Sequence, residues 1–245
     1  MKKIRKIVVR KIYQLSPNMR RITFSGEDLL DFPSNIIGSY VKLLFSKNNL
    51  ARPYSVRAFR TKSLEIDIDF SNHAGDQGYA TKWAYNANLG DEIYISGPGY
   101  TQELNLDSNW FFFVGDMTAL PSISVHLESL NRNSSGIALI EVLSTDDIVE
   151  ISKPEKIILK WVVKSASNFD TLINSVSKIE WPYGNPFVWV ACEHSKMIQL
   201  RSFFQTEKKI KKEDMYVSSY WKMGLNQEQH KTLKKNDSIK WKQVN

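Results

Sequence analysis

Arg52-Pro53-Tyr54-Ser55-Val56-Arg57 brings two guanidiniums, a phenol and a hydroxyl within six residues. Pro53 has no N–H to give a central ladder, so it marks the run as the edge or end of a strand. Alternate side chains of an extended segment share a face, which groups Arg52 with Tyr54 and sets Ser55 and Arg57 on the opposite side. A phenol can cover a planar ring while a hydroxyl beside it hydrogen-bonds the ring's heteroatoms, and a guanidinium can chelate a pyrophosphate through two parallel hydrogen bonds. Those are the parts that holding FAD requires. The plain alternative is an edge strand with solvated arginines.

Two further groups fit the same chemistry. Asp69-Phe70-Ser71-Asn72-His73-Ala74-Gly75 leads into Gly78-Tyr79-Ala80-Thr81-Lys82-Trp83, a strand end followed by a turn and a helix start. Unpaired amides at a helix N-terminus, helped by the Thr81 hydroxyl, make a phosphate cradle; a capped helix and nothing more is the alternative. Gly115-Asp116-Met117-Thr118-Ala119-Leu120-Pro121 closes the first strand of a second unit, at the kind of edge where parallel sheets bind ligands. It lacks G-x-G-x-x-G, so the usual dinucleotide fingerprint is absent. Asp116 is placed either to accept from a ribose or an adenine or to cap the helix. No paired carboxylates and no Ser/His/Asp arrangement can be brought together, which leaves hydrolases without residue-level support.

The elements that must position these groups fall into two grammars. From Lys6 to about Gly99 short β-rich runs are broken by turns: Ile7–Val9, Arg21–Phe24, Tyr40–Phe45, Leu64–Phe70 and Glu92–Ile95, with one helix expected over Asp76–Asn88. Leu64–Phe70 alternates apolar and acidic residues, as a strand with one wet face does. Such spacing predicts a small antiparallel β-barrel. After Gly97-Pro98-Gly99 strand and helix alternate: strands over Trp110–Gly115, Gly136–Leu143, Ile157–Val163, Phe187–Cys192 and Met215–Ser218, and helices over Thr118–Leu130, Phe169–Lys178 and Ser195–Lys208. Crossover helices imply a parallel sheet covered on both faces. The expected division is residues 1–104 and 105–245. Beyond Tyr220 the basic tail with Lys231, Lys234 and Lys235 reads as a solvated helix face.

At 245 residues, 42% hydrophobic and 24% charged, the composition is that of a folded protein large enough for two units. The single cysteine, Cys192, excludes an intrachain disulfide and any cysteine metal cluster, and fits a reducing compartment. Six basic residues in the first eleven, with no long apolar run, argue against a secretory signal. Apolar blocks such as Trp110–Val114 fall far short of the roughly 20 residues of a bilayer helix, so a cytoplasmic location is expected. The net charge of +7 favours an anionic partner. The aromatics are not interleaved with basic residues, so nucleic-acid binding has no motif behind it.

Taken together, Arg52–Arg57, Asp69-Phe70 with His73, Gly78–Ala84, Gly90-Asp91, Gly97-Pro98, Gly115–Pro121 and Tyr220-Trp221-Lys222-Met223-Gly224 resemble, in order over nearly the whole chain, the siderophore-interacting protein family of FAD-dependent ferric-siderophore reductases. The resemblance implies an N-terminal six-stranded antiparallel Greek-key β-barrel for FAD and a Rossmann-like parallel α/β unit of the NADPH-binding type. By the same resemblance, Arg52, Tyr54, Ser55 and Arg57 meet the isoalloxazine and pyrophosphate. Asp69, Phe70, His73, Ala80 and Thr81 fall in the phosphate and adenylate stretch, and Asp116, Thr118 and Ala119 match D-E-T-A-L-P. Met117 replaces that motif's glutamate, Tyr79 replaces a proline, and Ala191-Cys192-Glu193 stands for Ala-Gly-Glu where a nicotinamide would lie. NAD(P)H and reduced ferredoxin are therefore both expected donors. An anionic ferric siderophore is the expected substrate, gathered by Lys42, Lys222 and Arg201, and no protein-bound metal and a monomer are expected. The rival readings are a general flavin or ferredoxin-NADP-type reductase and a non-enzymatic siderophore-binding protein.

Overall fold

The computed structural model describes residues 3–45, 50–72, 78–164, 171–225 and 227–244. In the N-terminal half, apolar residues at every second position turn to one side: Ile7 and Val9 on β1 (Ile4–Ser16), Ile22 and Phe24 on β2 (Met19–Ser25), and Val41 and Leu43 on β3 (Ser39–Phe45). Ile66, Ile68 and Phe70 on β6 (Glu65–Ser71) and Ile93 and Ile95 on β7 (Glu92–Tyr100) join them in one core. Two short strands, β4 (Leu50–Ser55) and β5 (Ala58–Arg60), end the sheet, whose order is β4-β3-β7-β1-β2-β6-β5 with every neighbour antiparallel. The sheet thus has seven strands where six were expected. Val56 and Arg57 interrupt the chain, and Ala58–Arg60 resumes as a strand of its own against β6. The end strands β4 and β5 are not paired to each other, so the sheet curls round its core without closing into a hydrogen-bonded barrel. Helix α1 (Tyr79–Asn86) covers the core with Ala80, Trp83 and Ala84.

The second half is a five-stranded sheet of order β10-β9-β8-β11-β12, with all neighbours parallel. Its strands are β8 (Trp110–Asp116), β9 (Gly136–Val142), β10 (Ile157–Val163), β11 (Pro186–Glu193) and β12 (Met215–Trp221). The near-continuous apolar runs of β8 and β11 are buried on both faces, as parallel strands between helix layers must be. Phe111, Phe113, Trp189 and Ala191 pack with α2 (Leu120–Ser129), whereas Phe112, Val114, Val188 and Val190 pack towards α3 (Thr171–Ser177) and α4 (His194–Ser202). Helix α4 ends six residues before the expected Lys208, in a wide π-turn over Phe203–Glu207.

The basic tail forms α5 (Gln227–Val244), and it is docked rather than merely solvated. His230 is buried against Ser219, Lys234 donates to Ser218 Oγ and Ser219 O, and Asp237 accepts both terminal nitrogens of Arg201 on α4. No helix among the described residues is long and apolar enough to cross a membrane.

Candidate functional site

Strand β4 lies at the open edge of the first sheet, and its register on β3 decides where the hexapeptide points. Arg52 pairs with Leu43 and Tyr54 with Val41, both inward residues, while Pro53 pairs with Lys42 and Ser55 with Tyr40 on the outer side. Arg52 and Tyr54 therefore share the inner face and Ser55 takes the outer one, while Arg57 lies beyond the strand. The Tyr54 ring packs on Phe70 at 4.6 Å between centroids, and its hydroxyl bonds Thr81 on α1; burial pushes this phenol up to about 12. Arg52 is half-buried beside it, with Nη1 donating to Ala51 O.

On the other face the chain leaves the first sheet for the second. The Tyr220 hydroxyl at the end of β12 bonds Ser55, Ser122 of α2 and Tyr216, and burial holds it well above the usual phenol range. Arg57 Nη1 donates 2.9 Å to Glu128 Oε2, and Nη2 donates to Oε1 of the same carboxylate, near the end of α2. Beneath Arg57 opens a cleft of 340 Å³ between the two sheets, walled by Met19, Arg21, Asp69, Leu120 and Ser124 among others. At its end the tip of the β1–β2 hairpin is fastened to the second sheet by Asp147, which accepts from Ser16 Oγ, Asn18 N and Asn18 Nδ2 as well as from Ser144.

Several expected ligand contacts are committed inside the fold instead. Asp69 accepts Arg21 Nε and Nη2 at 2.6 and 2.8 Å across the β2–β6 ladder, where the two residues lie opposite. Phe70 is 0% exposed and backs Tyr54 rather than facing a ligand. Ala80 is buried in the first core, so only its amide, in the first turn of α1, is available to a phosphate. Thr81 is buried too, with its hydroxyl on Ser71 O and Tyr54. His73 lies outside the described residues.

Asp116 is saturated. Oδ1 accepts Thr118 N and Thr118 Oγ1, and Oδ2 accepts Glu193 N at 3.0 Å and Trp221 Nε1 at 2.8 Å. Since the strand order reverses between β8 and β11, these bonds bridge the crevice where open α/β sheets take their ligands. Asp116 has no oxygen left for a ribose, and Thr118 Oγ1 has committed its proton to Asp116, keeping only its acceptor side. Ala119 is a packing residue: a Cβ on Gly115 would come within 2.8 Å of the Ala119 methyl and of Ile123, so this glycine serves the close approach of α2 to β8. Cys192 is likewise fully buried, and burial raises its thiol well above the usual range.

Of the three basic residues expected at the mouth, only Lys42 has the expected freedom. It is exposed, and its side chain makes no ion pair or hydrogen bond among the described residues. Lys222 Nζ is held by Glu193 Oε1 at 2.9 Å and Ser195 Oγ at 2.8 Å. Burial opposes ionisation of Glu193, but Lys222 and the Met223 amide outweigh it and keep the carboxyl below the usual range. Arg201, chelated by Asp237 and stacked over Trp241, secures α5 and belongs to no ligand site. Sequence reasoning assigned no role to Glu128, Arg21, Glu193 or Tyr220. Two of them left a signal: Tyr220 stands in the Tyr-Trp-Lys run that closes a strand, and Glu193 in the Ala191-Cys192-Glu193 run.

A curled antiparallel sheet followed by a parallel α/β sheet, with a cleft between them, defines the ferredoxin-reductase type of flavoprotein architecture. Ferredoxin-NADP+ reductase from Plasmodium falciparum shares the fold, with a TM-score of 0.67 at 17% identity over 89% of this chain and 97% of that one. The siderophore-interacting FAD-binding domain model matches residues 8–51 and 46–102, and the siderophore-interacting protein model matches residues 108–224. The chain belongs to the siderophore-interacting protein family. It is similar to ferric vibriobactin reductase ViuB of Vibrio cholerae, 31% identical over 244 residues and covering 90% of this chain and 89% of the relative. The crystal structure of the siderophore-interacting protein SipS from Aeromonas hydrophila superposes with a TM-score of 0.86 at 26% identity over 97% and 99% of the two chains.

Proposed function

We propose that this protein is an FAD-dependent reductase that releases iron from ferric siderophores. The observation that carries the reading is the course of the hexapeptide, which sets an aromatic ring and two guanidiniums along the edge where the first sheet opens towards the second. The donor set fits FAD: Tyr54 supplies a ring wall, the first-turn amides of α1 a seat for phosphate, and Arg57 a guanidinium above the cleft. FAD, when bound, accepts electrons from a donor and passes them singly to Fe(III).

The chain's own residues do the rest by position. Tyr54 is braced by Phe70 and Thr81, so its ring is fixed before any ligand arrives. Tyr220 ties the hexapeptide to α2 and holds the two walls together. Lys42 is the exposed cation on the strand next to the hexapeptide and attracts an anionic iron chelate. Iron that has lost one positive charge is held less strongly by anionic oxygen ligands, so reduction at this edge frees it. We read residues 1–104 and 105–245 as the two working units, and the protein as a cytoplasmic monomer. NAD(P)H or reduced ferredoxin is the donor, and the crevice at Asp116 and Glu193, at the edge of the parallel sheet, is where a nicotinamide would lie.

The purified protein is to be reconstituted with FAD, then mixed anaerobically with ferric siderophores of catecholate and hydroxamate type and a ferrous-specific chelator, with NADH, NADPH or reduced ferredoxin as donor. A yellow protein that delivers Fe(II) to the chelator, fastest from one siderophore class, is the expected result. A protein that cannot be loaded with flavin ends the proposal, and one that reduces simple dyes with no siderophore preference points to a general flavin reductase.

A further inference from the structure

We propose that the outer side of α5, together with the turn at 209–211 beside it, is a docking face for an anionic membrane surface, on which the protein rests without spanning it. Residues 198–245 hold eleven basic side chains against five acidic ones, which places there six of the seven net positive charges of the whole sequence. Helix α5 sorts its share by period. His230, Lys234, Asp237 and Trp241 form the inward stripe that docks on β12 and α4, and Lys231, Lys235 and Ile239, each four residues from the next, form the outward one. Ile239 is 46% exposed, and the Lys235 side chain is exposed with no ion pair or hydrogen bond among the described residues. Lys231 makes only a loose 3.9 Å pair with Glu228, in which the two side chains are 74% and 72% exposed. The turn is held to the same side: Lys212 Nζ sits 4.9 Å over the Trp241 ring, so the exposed Lys209 and Lys211 stand next to the C-terminal part of α5.

The kind of anion follows from what the face offers and what it withholds. Nucleic acid is held by bidentate arginine and by bases stacked on open aromatic rings. The single arginine of residues 198–245, Arg201, is taken by Asp237. Both nearby indoles are covered by cations, Trp241 by Arg201 and Lys212 and Trp181 by Lys208 at 5.1 Å. What remains is a set of lysine ammonium groups beside an exposed aliphatic side chain. Lysine is a point charge suited to a diffuse layer of anionic headgroups, and an isoleucine among them gains where acyl chains lie just below. The placement also leaves the cleft free. The Trp241 side of α5 packs with α4 on one face of the second sheet, whereas α2, which walls the cleft, packs on the other, so a protein resting on α5 keeps its cleft turned to solvent.

Sedimentation with vesicles of phosphatidylcholine, with and without phosphatidylglycerol, tests the face at low and at physiological salt. The unaltered protein should pellet with the anionic vesicles only, and less so at the higher salt. Lys231→Gln with Lys235→Gln, and separately Lys209→Gln with Lys211→Gln, alter only exposed side chains, so both double variants should melt like the unaltered protein. Each should bind the anionic vesicles about 25-fold more weakly, about fivefold for each lysine removed. Ile239→Ser should weaken vesicle binding about fivefold and leave binding to a mixed-sequence DNA duplex unchanged. An unaltered protein that stays in the supernatant with anionic vesicles, or double variants that pellet as it does, overturns the docking face. Tighter binding to the DNA duplex than to the vesicles, lost in the same double variants, overturns the membrane as its partner. None of these side chains is placed at the flavin or the siderophore, so FAD loading and iron release should be the same in every variant, and either result here leaves the flavin reading standing.

Discussion

Arg57 gives one N–H of each terminal nitrogen to Glu128, which leaves three of its five N–H groups, the Nε–H among them, for another anion. A cofactor diphosphate approaching the cleft therefore competes with a carboxylate already in place across the two sheets. Glu128→Gln keeps the shape and removes the charge. A partly exposed ion pair is worth about 1 kcal/mol, so FAD should bind up to about fivefold more tightly to the variant. The flavin-free variant should melt a few degrees lower, at about 2 to 4 °C per kcal/mol for a chain of this size. Flavin titration and thermal melts of Glu128→Gln beside Arg57→Ala check this. Should Glu128→Gln lose FAD affinity as Arg57→Ala does, Glu128 orients the arginine instead of competing for it. The same reasoning governs Asp69 and Asp116, whose oxygens are filled by Arg21 in one case and by four donors in the other. Carboxylates that satisfied cannot be counted as ligand groups on residue type alone.

At the scale of elements, the two lysines expected to gather substrate separate cleanly. Lys222 joins the end of β12 to the start of α4 through Glu193, a carboxylate only 2% exposed, whereas Lys42 stands free on the outer face of β3. Lys222→Glu sets a second carboxylate beside a buried one. Removing one partner of a buried pair costs about 3 to 5 kcal/mol, and the partial exposure of Lys222 brings this to about 2. Its melting temperature should fall by several degrees, while Lys42→Glu melts like the unaltered protein and loses affinity for an anionic ferric siderophore. Equal melting of the two variants would remove the structural role from Lys222. The strands themselves were legible because alternation in Leu64–Phe70 and the unbroken apolar runs at Trp110 and Phe187 are local signals. Strand β5 was missed because three residues carry no period. The partners of Arg21, Lys222 and Arg201 were not legible, since Asp69, Glu193 and Asp237 lie 48, 29 and 36 residues away in the chain. The hexapeptide was readable because its chemistry is packed into one strand edge. The cleft was not, because its lining is drawn from both sheets.

For the whole molecule, the weld between the sheets sets the pH dependence of stability. His126 on α2 is 1% exposed, packed on Phe113 and Trp189, and lies beside Gly38 just before β3. Burial alone lowers it to about 4, and His230 beneath α5 is lowered to about 4 by burial with help from Lys234 and His194. Below an unfolded value of about 6.5 the unfolded chain takes up protons that the folded chain refuses. Stability is therefore full above about pH 6.5, falls as pH drops through the window, and levels off below about 4. Each histidine accounts for about 3 kcal/mol over that range, at about 1.4 kcal/mol per pH unit. The depressed carboxylates Asp147 and Glu193 lose their contribution only at lower pH, and Glu141, raised by burial, acts with the opposite sign. The difference between the unaltered protein and His126→Leu isolates one group, because leucine suits the apolar neighbours and cannot titrate. Burial lowers His194, against His230, as well, so urea unfolding midpoints at pH 7.5, 5.5 and 4.5 should decline steeply for the unaltered protein and less steeply for His126→Leu. Parallel declines would mean that His126 is protonated without unseating the sheets, and that the acid sensitivity arises under α5 alone.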